Sequence, residues 1–280
     1  MQQPATIKLF LPTGRARSLR TAEISNWSGK AIAGPRSEIE DILKREELSK
    51  PGVYILTGTD LETGDPKIYV GEAEIVKNRL KQHKDKDFWV HVIVFISKDE
   101  NLTKAHIKYL EGKLIETAHK IGKAKLENGQ SSGAVLPESD RADMDVFLEK
   151  IFQLLPVLGS DVFTPLTTHH PKKKTTILYC KKKGIEAKGQ RTENGFVVFA
   201  GSTASPNETP SIPKAVHERR ALLIKKGVLV QKEDYLLFSK DYEFSSPSLA
   251  AAVVRGAAAN GLIEWKDKDG RVLKAIEEQS

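Results

Sequence analysis

Five side chains in the first half of the chain are of types that can do chemistry together: Tyr54, Tyr69, Arg79, His83 and Glu111. A guanidinium can grip non-bridging phosphate oxygens with a planar fork. Phenols can orient an attacking water, and an imidazole titrates near neutrality. A lone carboxylate such as Glu111 suits a hydrated divalent cation, Mg²⁺ above all, because that ion keeps most of its waters and takes few protein oxygens. These types permit metal-assisted attack of water on a phosphate ester and do not by themselves require it. A free phenol is a poor base at neutral pH, so a tyrosine acting as base needs its pKa lowered by Arg79 or the metal.

The elements that must position these groups can be read around them. Val53-Tyr54-Ile55-Leu56 and Lys67-Ile68-Tyr69-Val70 are β-prone runs flanking a stretch from Thr57 to Pro66 rich in Gly, Asp and Thr. That pattern predicts an antiparallel hairpin that places both phenols at one site. Glu72 to His83 reads as a helix with Ile75, Val76 and Leu80 inward, and Arg79 and His83, four apart, on one face. A further β run, Trp89 to Ile96, precedes a long helical pattern from Leu102 to about Ile121, with Glu111 in its middle. Asn128-Gly129 marks the turn beyond it.

Gly52-Val53-Tyr54, Tyr69-Val70-Gly71, Arg79, Glu111 and Asn128 occur in an order and spacing that resemble the GIY-YIG endonuclease family, over roughly residues 49 to 130. The resemblance implies an α+β fold with a small antiparallel sheet flanked by helices. It also implies a metal-dependent DNA endonuclease with a one-metal mechanism using Mg²⁺ or Mn²⁺. Tyr54, Tyr69, Arg79, His83, Glu111 and Asn128 then form the site, Glu111 as metal ligand and Asn128 steadying the geometry. Val replaces Ile in both signatures, and Glu72 stands where some relatives carry a lysine, whose role would pass to a neighbour such as Lys77. The runner-up is a non-catalytic DNA-binding module that keeps the fold; a third reading is a protein-interaction role dominated by the C-terminal domain.

Each residue also has a plain counterpart. A mid-helix Glu is commonly a surface or ion-paired residue, and Arg79 alone would be a solvated one. His83 has charged neighbours, Lys81, Lys84 and Asp85, that look exposed. His106 and His119 are taken as structural, His169-His170 as linker, and Phe88 and Trp89 as core.

The 280 residues carry a net charge of +7. From Pro165 to Gly195 the balance is +6, so most of the excess lies in one segment, chiefly Lys172, Lys173, Lys174, Lys181, Lys182 and Lys183. Such a stretch can neutralise DNA phosphates and release counterions, or serve as a solvated linker. The lone Cys180 excludes an intrachain disulfide framework and a cysteine metal cluster. No apolar run approaches a membrane span and no secretion signal is visible, which predicts a cytoplasmic protein with no membrane partner.

Residues 1–48 read as an accessory hairpin and helix, the helix capped by Ser37 and Glu40 and running to Leu48. Residues 49–160 read as the nuclease domain with a trailing helix capped by Ser139, 161–174 as linker, and 175–280 as a C-terminal α+β accessory domain. In that last domain the expectations are strands at Thr176 to Tyr179, Phe196 to Phe199 and Leu262 to Trp265, and helices from Lys214 to Lys226 and Ser248 to Ala259. Phe244 to Lys266 resembles a small domain of unassigned function often attached behind GIY-YIG modules.

Overall fold

The β6 sequence WVHVIVFIS and the β4 sequence GVYILTGT are almost continuously apolar, as strands buried on both faces must be. In the computed structural model, which describes residues 4–60, 64–128, 133–165, 176–182 and 184–278, these two strands lie side by side inside a seven-stranded sheet. The chain has an α+β fold and divides into two compact units, Met1–Thr164 and Pro165–Ser280.

The first unit contains β1 (Ile7–Phe10), β2 (Arg20–Ile24), β3 (Gly29–Pro35), α1 (Ile39–Leu43), β4 (Gly52–Thr59), β5 (Pro66–Ala73), α2 (Val76–Gln82), β6 (Trp89–Ser97), α3 (Lys104–Ile121), β7 (Lys125–Leu126) and α4 (Glu138–Val157). The sheet order is β1-β2-β3-β6-β4-β5-β7. Neighbours are antiparallel except β5 and β7. The sheet is larger than the small one expected, because β1 to β3 of the lead-in extend it through β3–β6 pairing. On one face α3 and α4 bury Ile107, Leu110, Leu114, Phe147 and Ile151 against Val53, Ile55, Ile68 and Val70. On the other, α1 and α2 bury Ile42, Val76 and Leu80 against Tyr54, Leu56, Trp89 and Val94.

Local signals explain most boundaries. Thr103 accepts from the His106 N–H while His106 Nδ1 accepts from the Thr103 N–H, a capping box that starts α3. Gly122, at φ 66°, ends that helix in the left-handed region that Gly tolerates. The helix expected to run through Leu48 is instead split into 3₁₀ turns at Arg36–Glu38 and Glu46–Ser49 around the short α1. Ser37 and Glu40 do not cap it; Glu38 turns back to accept from Ser18 Oγ at 2.6 Å and the Leu19 N–H at 2.8 Å. Ser139 does not cap α4, which starts at Glu138 after Pro137. The expected helix from Glu72 begins only at Val76, because β5 continues to Ala73.

The second unit contains β8 (Leu178–Lys182), β9 (Ile185–Arg191), β10 (Phe196–Val198), β11 (Thr203–Ala204), α5 (Lys214–Lys225), β12 (Leu229–Gln231), β13 (Leu236–Phe238), β14 (Tyr242–Phe244), α6 (Pro247–Arg255), α7 (Gly261–Glu264) and α8 (Leu273–Glu278). They form a four-stranded sheet, β14-β10-β9-β8, and a three-stranded one, β11-β13-β12. Phe196, Phe238, Phe244, Trp265 and the small residues of α6 make its core. Leu262 to Glu264, expected as strand, are helical: Asn260 Oδ1 accepts from the Leu262 N–H at 3.1 Å and caps the turn. Among the described residues no helix is long and apolar enough to cross a membrane.

Candidate active site

The β4–β5 hairpin forms as expected and pairs Tyr54 with Gly71 and Leu56 with Tyr69. The two tyrosines are therefore diagonal neighbours on one face, their rings 6.1 Å apart and nearly parallel at 22°. Gly71 explains why a ring fits opposite it: a Cβ there would lie 2.4 Å from Tyr54 Oη and 2.8 Å from Tyr69 Cε1. Gly52 is required for a different reason. A Cβ there would lie 2.4 Å from the Phe95 carbonyl of β6, so β4 could not enter the sheet at that point.

Helix α2 packs on the same face through Val76 and Leu80. His83 ends it with φ −89°, ψ 2°, and turns inward. Only 4% of His83 is exposed, against the surface position its charged neighbours suggested. Its Nε2 lies 2.8 Å from Tyr54 Oη, and its ring centroid is 4.7 Å from that of Tyr69. The Trp89 indole N–H donates to the His83 carbonyl at 2.9 Å, so Trp89 both fills the core and holds the His83 backbone. Among the described residues His83 Nδ1 has no hydrogen-bond partner.

Burial, aided by the charges of Arg79 and Lys86, lowers the His83 pKa to about 4, so the imidazole is neutral at pH 7. Burial, reinforced by Tyr69, raises the Tyr54 phenol further above its ordinary value, although Arg79 pulls in the opposite direction. Lowering of a phenol pKa by Arg79 therefore does not prevail at Tyr54, which stays protonated. Arg79 is exposed at the rim, interacts with both phenols, and donates to Gln82 Oε1 at 2.8 Å. Tyr69 is half-buried, and the Lys86 ammonium lies 5.1 Å from its ring centroid. Lys86 is a site residue that the sequence pattern did not single out; the signal was its place in the lysine-rich run around His83.

Asn128 acts at the back of the hairpin. Its Oδ1 accepts from the Val70 N–H at 3.1 Å and its Nδ2 donates to the Val70 carbonyl at 2.5 Å. One side-chain amide thus imitates a neighbouring strand at the residue between Tyr69 and Gly71. β7 pairs with β5 only at Lys67 and Ile68, so Asn128 extends the support outward along the edge.

Glu111 is half-buried in the middle of α3. The buried side of α3 packs against Val53, Ile55, Ile68 and Val70, the sheet face opposite the phenols. The structure thus brings Tyr54, Tyr69, His83 and Arg79 together, and Glu111 comes from α3, whose buried side covers the other sheet face. Among the described residues no group of three or more His, Cys, Asp or Glu could hold a metal. A single half-buried carboxylate does fit a hard, largely hydrated ion, so Glu111 suits Mg²⁺ as a one-ligand site.

Of the basic residues, Lys181 and Lys182 lie on β8; Lys172, Lys173, Lys174 and Lys183 lie outside the described residues, as do His169 and His170. Lys181 pairs with Glu186 at 2.9 Å, both side chains well exposed. Lys182 Nζ donates to the Arg255 carbonyl at 3.4 Å.

Residues 178–277 match a family described as a domain of unknown function (DUF4357). The match falls within the second unit and agrees with the small domain of unassigned function that Phe244 to Lys266 resembles. No curated protein matches the chain, and no solved structure matches it.

Proposed function

We propose that the first unit is a metal-dependent endonuclease that hydrolyses DNA phosphodiesters. The observation that carries this reading is the Tyr54–His83–Tyr69 cluster on the hairpin, with Arg79 at its open rim. Such a cluster differs from ordinary core packing, since four polar side chains converge where a strand pair lacks a Cβ.

The residues divide the work by exposure. Arg79, exposed, grips the non-bridging oxygens of the scissile phosphate. Tyr69, half-buried, orients the attacking water. Tyr54, buried and protonated, is held by His83 and serves as a fixed hydrogen-bonding partner for Tyr69 and Arg79, not as the base. Glu111 would hold Mg²⁺ or Mn²⁺, which when bound neutralises phosphate charge and lowers the pKa of coordinated water. Asn128 holds the Tyr69–Gly71 stretch in register. The lysine-rich segment from Lys172 to Lys183 supplies sequence-independent affinity for the DNA backbone.

The test is incubation of the purified chain with supercoiled, branched and single-stranded DNA, with and without Mg²⁺ or Mn²⁺. Cleavage is expected only with metal. Glu111→Ala should abolish it while leaving folding and DNA affinity largely intact. Arg79→Lys keeps the charge but loses the fork, and should slow single-turnover cleavage roughly a hundredfold or more. Near wild-type cutting by folded Glu111→Ala would remove the metal assignment. Tight DNA binding with no cleavage under any of these conditions would favour a non-catalytic binding module.

A further inference from the structure

The outward face of β8 and β9 carries aromatic and basic side chains that the chemistry of the first unit does not use. Along β8, Leu178 and Cys180 point into the core, so Tyr179 and Lys181 point away from it. Strand β9 places Lys188 directly opposite Tyr179 and Glu186 opposite Lys181. Among the described residues, the other edge of β8 has no strand beside it. There Lys266 closes an isolated antiparallel bridge: the Tyr179 N–H donates to the Lys266 carbonyl at 2.7 Å and the Lys266 N–H to the Tyr179 carbonyl at 3.0 Å. Residues opposite one another in antiparallel pairs share a face. Lys266, Tyr179 and Lys188 therefore form one row across three chain segments.

The ring of Tyr179 is half-exposed, and the lysines around it are exposed. Lys181 Nζ lies 5.4 Å and Lys188 Nζ 6.0 Å from its centroid. The row continues to half-buried Phe199, whose N–H donates to the Lys188 carbonyl at 2.9 Å. Glu186 is the acidic member of the patch, 2.9 Å from Lys181 and 3.9 Å from Lys188, and it leaves the group positive. One exposed tyrosine under one lysine would be ordinary surface. Cations from two strands beside one half-exposed ring, with Lys266 placed in the same row by register, combine a stacking surface with phosphate-binding groups. Duplex bases already stack on one another and offer no free face, so the chemistry selects unpaired bases.

We propose that this face of the second unit binds single-stranded DNA, with Tyr179 stacked on a base and Lys181, Lys188 and Lys266 on the flanking phosphates. The choice of DNA rests on the nuclease reading; the stacking and the phosphate pairing do not depend on hydrolysis. The test is fluorescence anisotropy of the full chain in EDTA with labelled oligothymidylate, a duplex of equal length, and oligouridylate. Tyr179→Ala should weaken oligothymidylate binding roughly tenfold, while Tyr179→Phe, which keeps the ring, should bind as wild type. The double variant Lys188→Gln, Lys266→Gln should flatten the salt dependence by about 0.7 unit for each phosphate no longer neutralised. Unchanged binding by a folded Tyr179→Ala, or equal losses on duplex and single strand, would overturn the proposal. Tighter binding of oligouridylate would overturn the assignment to DNA. A chain that binds in this way but never cleaves with metal refutes the nuclease reading alone.

Discussion

Tyr54 and Tyr179 are both strand tyrosines with charged groups close by, yet their surroundings make them opposite tools. Tyr54 is fully buried, hydrogen-bonded to His83 and kept protonated by that burial. Tyr179 stands half-exposed beside Lys181 and Lys188. The first arrangement orders polar groups at a cost in stability, because buried polar atoms tolerate no misfit. The second costs the fold little, since lysine stems covering a ring at the surface interact with it only weakly. Chemistry needs the first kind of site and recognition can use the second. Changes around Tyr54 should therefore show in folding as well as activity, and changes around Tyr179 in binding alone.

The largest folding effect is expected from pH. The His83 imidazole takes up a proton near pH 6.5 when unfolded and only near 4 when folded. Between those values the unfolded chain binds more protons, so stability is full above pH 6.5, falls as pH drops through the window and levels off below about 4. The loss from His83 is about 3 kcal/mol at most. His91, lowered to about 4 by burial and by Arg20, acts in the same window and direction. Urea unfolding at stepped pH should show the decline, and His83→Gln should reduce it while leaving the His91 share. A stability profile flat from pH 7 to 4 would mean that neither imidazole is sealed from water.

Gly71→Ala should come next. Its new Cβ would have to share space with Tyr54 Oη and the edge of the Tyr69 ring. Overpacking of this kind costs typically 1–3 kcal/mol, and here it also displaces both phenols, so cleavage should fall more than stability does. Lys188→Ala, on the open face, should stay within about 0.5 kcal/mol of wild type by the same denaturation measurement. Comparable losses from the two substitutions would erase the contrast between the regions.

How much of this was legible in the sequence follows from signal length. The hairpin announced itself through two β runs around a loop of turn formers, and α3 through its apolar spacing, although it starts at Lys104 and not at Leu102. Strands β11 to β14 are two or three residues long, too short for any period to show. Leu262 to Trp265, expected as strand, is too short for a period to show, and the Asn260 cap makes Gly261–Glu264 helical instead. The inward turn of His83 was hidden because Lys81 and Asp85 beside it do stay at the surface, while the residue that holds it, Trp89, lies beyond the helix. Which sheet face α3 covers, the one opposite the phenols, was not visible in spacing at all.

The smallest effects concern how the two tyrosine-bearing edges are closed. At β5 the closure is a side chain: the Asn128 amide makes two hydrogen bonds to Val70, beside Tyr69. At β8 it is backbone: Lys266 bonds to Tyr179 through its own N–H and carbonyl. Truncation to alanine removes the first closure and leaves the second intact. Asn128→Ala exposes both Val70 groups and should cost about 1–2 kcal/mol, the size of one or two missing hydrogen bonds at a partly buried site. It should also loosen Tyr69 and lower the cleavage rate without changing DNA affinity. Lys266→Ala should leave stability within about 0.5 kcal/mol of wild type and appear only in the salt dependence of binding. Amide hydrogen exchange distinguishes the two directly: protection of the Val70 N–H should drop in Asn128→Ala, while protection of the Tyr179 N–H should persist in Lys266→Ala. Unchanged protection at Val70 would show that the β5 edge is held by something other than the Asn128 amide, and the positioning role given to that residue would fall.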